Sequence, residues 1–135
     1  MDSAAHAGTR RPIGTYAAEP AHVGHARRAL AQALDGHPSA DDAALIASEF
    51  ATNAVLHSAS GHGGKFTVCL EIQESYIWIG VGDGGGPWRC TPHDDGRPHG
   101  FDVVEAITGP DGWGVDGDPA GRVAWARIVT PAGSS

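Results

Sequence analysis

Glu49 and Asn53 lie four residues apart in the run Asp41 to Ser58, DDAALIASEFATNAVLHS, with His57 four residues further on. At about 100° per residue the three fall on one side of a helix. A carboxylate and an amide oxygen one turn apart reach a common point. Asn53 can therefore hold a hard cation such as Mg²⁺ through its carbonyl while Glu49 polarises an attacking hydroxyl or water. Leu45, Ile46, Phe50, Ala54 and Leu56 flank these residues, so polar groups stand where a core stripe is expected. Left buried and unpaired, each polar group would cost about 1–3 kcal/mol, so it must be hydrogen-bonded, bind a ligand or line a cleft. A slightly rotated helix, with Glu49 in solvent and Asn53 and His57 at the boundary, accounts for the same pattern without chemistry.

Asp83 is the second candidate. It is in phase with Ile77, Ile79 and Val81, and Gly84-Gly85-Gly86-Pro87 follows it. A carboxylate at the inner end of a strand accepts from an exocyclic amine such as that of adenine, and the glycines let backbone approach a ligand closely. A turn-forming Asp is the plainer account. Gly100, ahead of a short helical pattern, is the third: a glycine-led helix start offers free N–H groups and a positive dipole end to phosphates, or is a plain junction. The chain has eight histidines. His22-x-x-His25 and the group His93-Asp94-Asp95 with His99 suggest metal binding, but neither comes with a full ligand set.

The elements that must position these residues follow from periodicity and punctuation. Residues 1–11 are small and polar and read as a disordered lead-in, residues 12–130 as one domain, and residues 131–135 as a tail. A short edge strand is expected at Ile13 to Ala18. Glu19-Pro20 opens a helix whose apolar face is Val23, Ala26, Ala29, Leu30, Ala33 and Leu34, and Gly36-His37-Pro38 ends it. Ser39 with Asp42 resembles a capping box for the next helix. Two alternating runs, Phe66 to Ile72 and Tyr76 to Asp83, form a hairpin about Glu74-Ser75. Trp88 to His99 lacks periodicity and reads as a loop or lid. A short helix carries Phe101, Val104 and Ile107 to Gly109-Pro110, and strands are expected around Trp113 to Val115 and Arg122 to Thr130. The order predicts an α+β fold, a two-layer α/β sandwich with helices on one face of a mixed sheet.

At 135 residues the chain has room for one core. It is 41% hydrophobic and 19% charged, a globular profile. No apolar run nears the roughly 20 residues of a membrane span, and MDSAAHAGTRR lacks the apolar stretch of a signal peptide, so a cytoplasmic protein is expected. Cys69 and Cys90 have no C-x-x-C spacing, which favours reduced thiols. A net charge of −7 with nine Lys and Arg in all argues against direct nucleic-acid binding. It leaves a nucleotide possible, because backbone N–H groups and a divalent cation can carry the phosphates.

Taken together, SEFATNAVLHS (Ser48 to Ser58), VGDGGGP (Val81 to Pro87) and HGFDVVEA (His99 to Ala106) resemble the boxes of the GHKL, or Bergerat-fold, ATP-binding superfamily. The likeness is greatest to the small anti-sigma-factor serine kinases and related regulators of actinobacteria, and it covers Glu19 to about Val129. It implies that fold, with ATP and Mg²⁺ as cofactors. It also implies roles: Glu49 as general base, Asn53 as the Mg²⁺ ligand, Asp83 on the adenine amine, and Gly85 shaping the adenine pocket. His99, Gly100 and Phe101 would form the loop and helix start beside the phosphates, with His57 at a phosphate or lid contact. The activity implied is serine/threonine protein kinase action on an anti-sigma antagonist, regulating transcription. The partners implied are a sigma factor, that antagonist, or both, with a homodimer possible at the edge strand. The alternative is a module that sequesters its partner with weak or absent nucleotide binding. Two positions depart from the pattern. Pro98 stands where relatives usually have glycine, and Val123, in Gly121-Arg122-Val123, stands where relatives carry a hydrogen-bonding Thr.

Overall fold

A computed structural model of the chain describes residues 10–58, 64–84, 101–118 and 121–130. In order the elements are β1 (Arg11–Ala17), α1 (Pro20–Ala33), α2 (Ala40–Ser58), β2 (Lys65–Ile72), β3 (Tyr76–Gly84), α3 (Asp102–Thr108), β4 (Trp113–Asp118) and β5 (Gly121–Val129). Their ends follow local chemistry. Pro20 starts α1, where its missing N–H is not needed and its fixed φ suits a helix. Asp41 and Asp42 lie in the first turn of α2, where negative charge meets the positive end of the helix dipole. Gly36 and Gly109, which follow α1 and α3, have φ of 81° and 87°, left-handed values that favour glycine.

The sheet runs β1-β2-β3-β5-β4. Every neighbouring pair is antiparallel, which corrects the expected mixed sheet. β4 does run in the same direction as β3, but β5 lies between them, so no parallel neighbours meet. The α+β class and the packing of helices on one face hold. Val68 faces Val81, Leu70 faces Ile79 and Ile72 faces Ile77 across the β2–β3 hairpin, and β5 continues the row with Ala124, Ala126 and Ile128. Onto this apolar face α1 brings Ala26 and Leu30, α2 brings Ile46, Ala47, Phe50 and Ala54, and α3 brings Val104. No helix among the described residues is long and apolar enough to cross a membrane.

The opposite face carries a buried charge. Glu71, only 4% exposed, accepts hydrogen bonds from Arg10 Nε (2.6 Å), Gln73 Nε2 (2.7 Å) and Tyr76 Oη (3.1 Å). The Arg10 guanidinium also lies 4.0 Å over the Trp78 ring, so one side chain pins the start of β1 to both β2 and β3. Burial pushes the Glu71 carboxyl up, but the bonds from Gln73, Arg10 and Tyr76 and the Arg10 charge pull it further down, and it ends below the usual carboxylate range. Its stabilisation is therefore present above the carboxyl's unfolded pKa and is lost as pH falls through the lower, folded value. Denaturant midpoints measured between neutral and strongly acidic pH should show a flatter acid decline for Glu71→Gln than for the parent chain. That variant should also be less stable at neutral pH by about 1–3 kcal/mol. An unchanged acid slope would show that Glu71 does not carry this dependence.

Candidate functional site

The rotation of α2 decides which residues can act. Ala43, Ile46, Ala47, Phe50, Ala51, Ala54 and Val55 are buried, while Leu45 is 36% and Leu56 is 68% exposed. The apolar flank expected around the polar residues is thus only partly core. The alanines explain the choice: small side chains on this stripe let α2 pack closely against α1 and β3, which a stripe through Leu45 and Leu56 would not allow. Glu49 and Asn53 are half-buried at the border between the core stripe and the open side. They stand one turn apart on one strip of helix, and neither has a hydrogen-bond or ion-pair partner among the described residues. His57 is in the last turn of α2, and its side chain lies outside the described set.

Asp83 occupies the position that its phase predicts. It is the penultimate residue of β3, half-buried, in register with Phe66 of β2 and Arg122 of β5, on the same face as Val81 and Ile79. α2 packs on β3 and β2, and its C-terminal end leads to the start of β2, the end that pairs with Asp83. Gly85, His99 and Gly100 lie outside the described residues, as do Pro98 and Cys90.

Phe101 immediately precedes α3, and its ring is buried. It meets Phe50 edge-on at 5.2 Å and Trp113 edge-on at 5.4 Å between ring centroids. What Phe101 can offer a ligand is therefore backbone, while its ring holds the start of α3 against the turn of α2 that carries Glu49 and Asn53. Trp113 is anchored in turn by donating its indole N–H to Glu105 Oε1 at 3.1 Å. Sequence patterning does not reveal this aromatic chain: it puts Phe50 in one helix, Phe101 at the start of another beside the implied phosphate site, and Trp113 in a strand. Scarcity was the available signal, since the whole chain has three Phe.

Val123 pairs with Gly82, on the face opposite Asp83. Its inability to donate a hydrogen bond therefore removes nothing from the side on which Asp83 lies. Among the described residues no group of three or more His, Cys, Asp and Glu side chains is gathered to hold a metal. A Mg²⁺ ion that rides on phosphate oxygens and water does not need such a group, and one amide oxygen beside one carboxylate suits it. The chain matches no protein-family model and no curated protein.

Proposed function

We propose that this chain is an ATP- and Mg²⁺-binding regulator of the Bergerat-fold, anti-sigma-factor kinase type, working in the cytoplasm. It would transfer the γ-phosphoryl group of ATP to a serine or threonine on an anti-sigma antagonist and so regulate transcription. The observation that carries this is the pair Glu49 and Asn53, half-buried, one turn apart and unpartnered among the described residues, with the start of α3 held beside them by Phe50 and Phe101. Asn53 holds the cation through its amide oxygen. Glu49 accepts the proton of the attacking hydroxyl. Asp83, at the end of β3 on the helix-covered face, accepts from the adenine amine. Bound Mg²⁺ neutralises charge on the phosphates, and positioning accounts for most of the remaining rate.

A protein partner docking here would cover exposed Leu45 and Leu56 on the same helix and Val103 on α3, which is 42% exposed. The same holds for the alternative, a module that sequesters a sigma factor or antagonist with little use of nucleotide. Calorimetric titration with ATP in the presence and absence of Mg²⁺ separates the two. The kinase requires saturable, Mg²⁺-strengthened binding, whereas no heat at millimolar nucleotide leaves the binding module.

A further inference from the structure

We propose that His22 and His25, at the start of α1, form a two-imidazole site for a borderline divalent transition-metal cation of the Zn²⁺ or Ni²⁺ class. Three observations converge on this pair, and none depends on nucleotide binding. His22 Nδ1 lies 2.9 Å from the carbonyl oxygen of Ala17. A carbonyl only accepts, so Nδ1 carries the proton, and in the neutral ring the lone pair is on Nε2. A backbone acceptor on one nitrogen that fixes the tautomer and leaves the other nitrogen to bind is the usual outer-shell arrangement of a ligating histidine.

The second observation is spacing. The two rings stand 5.3 Å apart between centroids, tilted by 32°. With metal–nitrogen bonds of about 2.0 Å, two imidazoles on one tetrahedral cation bring their ring centres to roughly 5 Å. The third is the rigidity of the seat. Tyr16 packs beside His22 with ring centroids 6.5 Å apart and against Phe66 at 5.5 Å. Ala18 N–H also bonds to Gly64 O (2.8 Å) and His22 N–H to Glu19 O (2.9 Å). His25 is exposed, so the open side of the pair is accessible and water can complete the coordination. Tyr16 pairs with Phe66, which pairs with Asp83, so the strand beside His22 lies two strands away from the one that carries Asp83.

The test is a Zn²⁺ titration of the untagged full chain, read by calorimetry and by ¹⁵N–¹H correlation spectra of labelled histidine. Expected are a single saturable equivalent, a shift of the Nε2 signal of His22 with its Nδ1 proton retained, and a parallel shift at His25. His25→Ala, at an exposed position, should keep its circular dichroism and lose about tenfold or more in affinity, with His22→Ala losing at least as much. Zn²⁺ binding of parental strength in both variants would place the cation on other histidines and overturn the proposal. Absence of binding at millimolar Zn²⁺ would overturn it equally.

Discussion

Under the proposed function, Glu49→Gln should lower phosphoryl transfer from ATP to an antagonist co-purified with the chain by about a hundredfold or more, while leaving ATP affinity within about threefold. Glutamine keeps the shape of the side chain and its place at the border of the α2 stripe, so folding and the neighbouring Asn53 are undisturbed. What it removes is the ability, proposed for Glu49, to take a proton from the attacking hydroxyl. Asn53→Ala is the complementary variant: it deletes the amide oxygen proposed to hold the cation, so the Mg²⁺-dependent part of ATP binding should disappear with it. The measurement is transfer from γ-labelled ATP to the protein co-purified with the chain, beside calorimetry of each variant. Transfer by Glu49→Gln at the parental rate would remove Glu49 from the chemistry. Loss of ATP binding in that variant would make Glu49 a binding residue and not a base.

Phe50→Ala should cost about 3–5 kcal/mol of stability, since a fully buried ring would be replaced by a cavity. The total available to a domain is about 5–15 kcal/mol, so the variant folds with little margin and its urea midpoint falls sharply. Phe50 is 1% exposed and meets Phe101, which meets Trp113, so its removal frees the start of α3 as well as hollowing the core. Under the proposed function, ATP affinity should drop with it, although Phe50 touches no nucleotide. Phe50→Leu fills more of the space and should cost less on both counts. Equal stability losses with unchanged ATP affinity would detach the aromatic contact from the site.

Much of the architecture was legible in the residues because it rests on local rules. Alternation in Phe66 to Ile72 and Tyr76 to Asp83 marked the hairpin and put Asp83 on the inner face, and that is where the register places it. Pro20 marked a helix start through its fixed φ and missing N–H, and Gly109 a helix end through its positive φ. What was not legible involved choices among near-equal alternatives. The run Asp41 to Ser58 has apolar residues on more than one side, and periodicity does not say which set is buried. Leu56 looked as good a core residue as Ala54, yet it is exposed. The deciding factor is how closely α2 can approach its neighbours, a property of the partners and not of the helix.

By itself the sequence determined an α+β chain, its helices and hairpin, and three motif regions in a fixed order, because dihedral preferences and hydrophobic periods act over a few residues. Tertiary structure decided that the sheet is wholly antiparallel, since insertion of β5 between β3 and β4 is a pairing of distant segments. It turned Val123 away from the face of Asp83, a matter of register between β3 and β5. It also brought Phe101 to Phe50 across some fifty residues of chain, tying the start of α3 to the turn of Glu49 and Asn53. Such long-range contacts are selected by packing complementarity among surfaces that exist only once the elements have assembled.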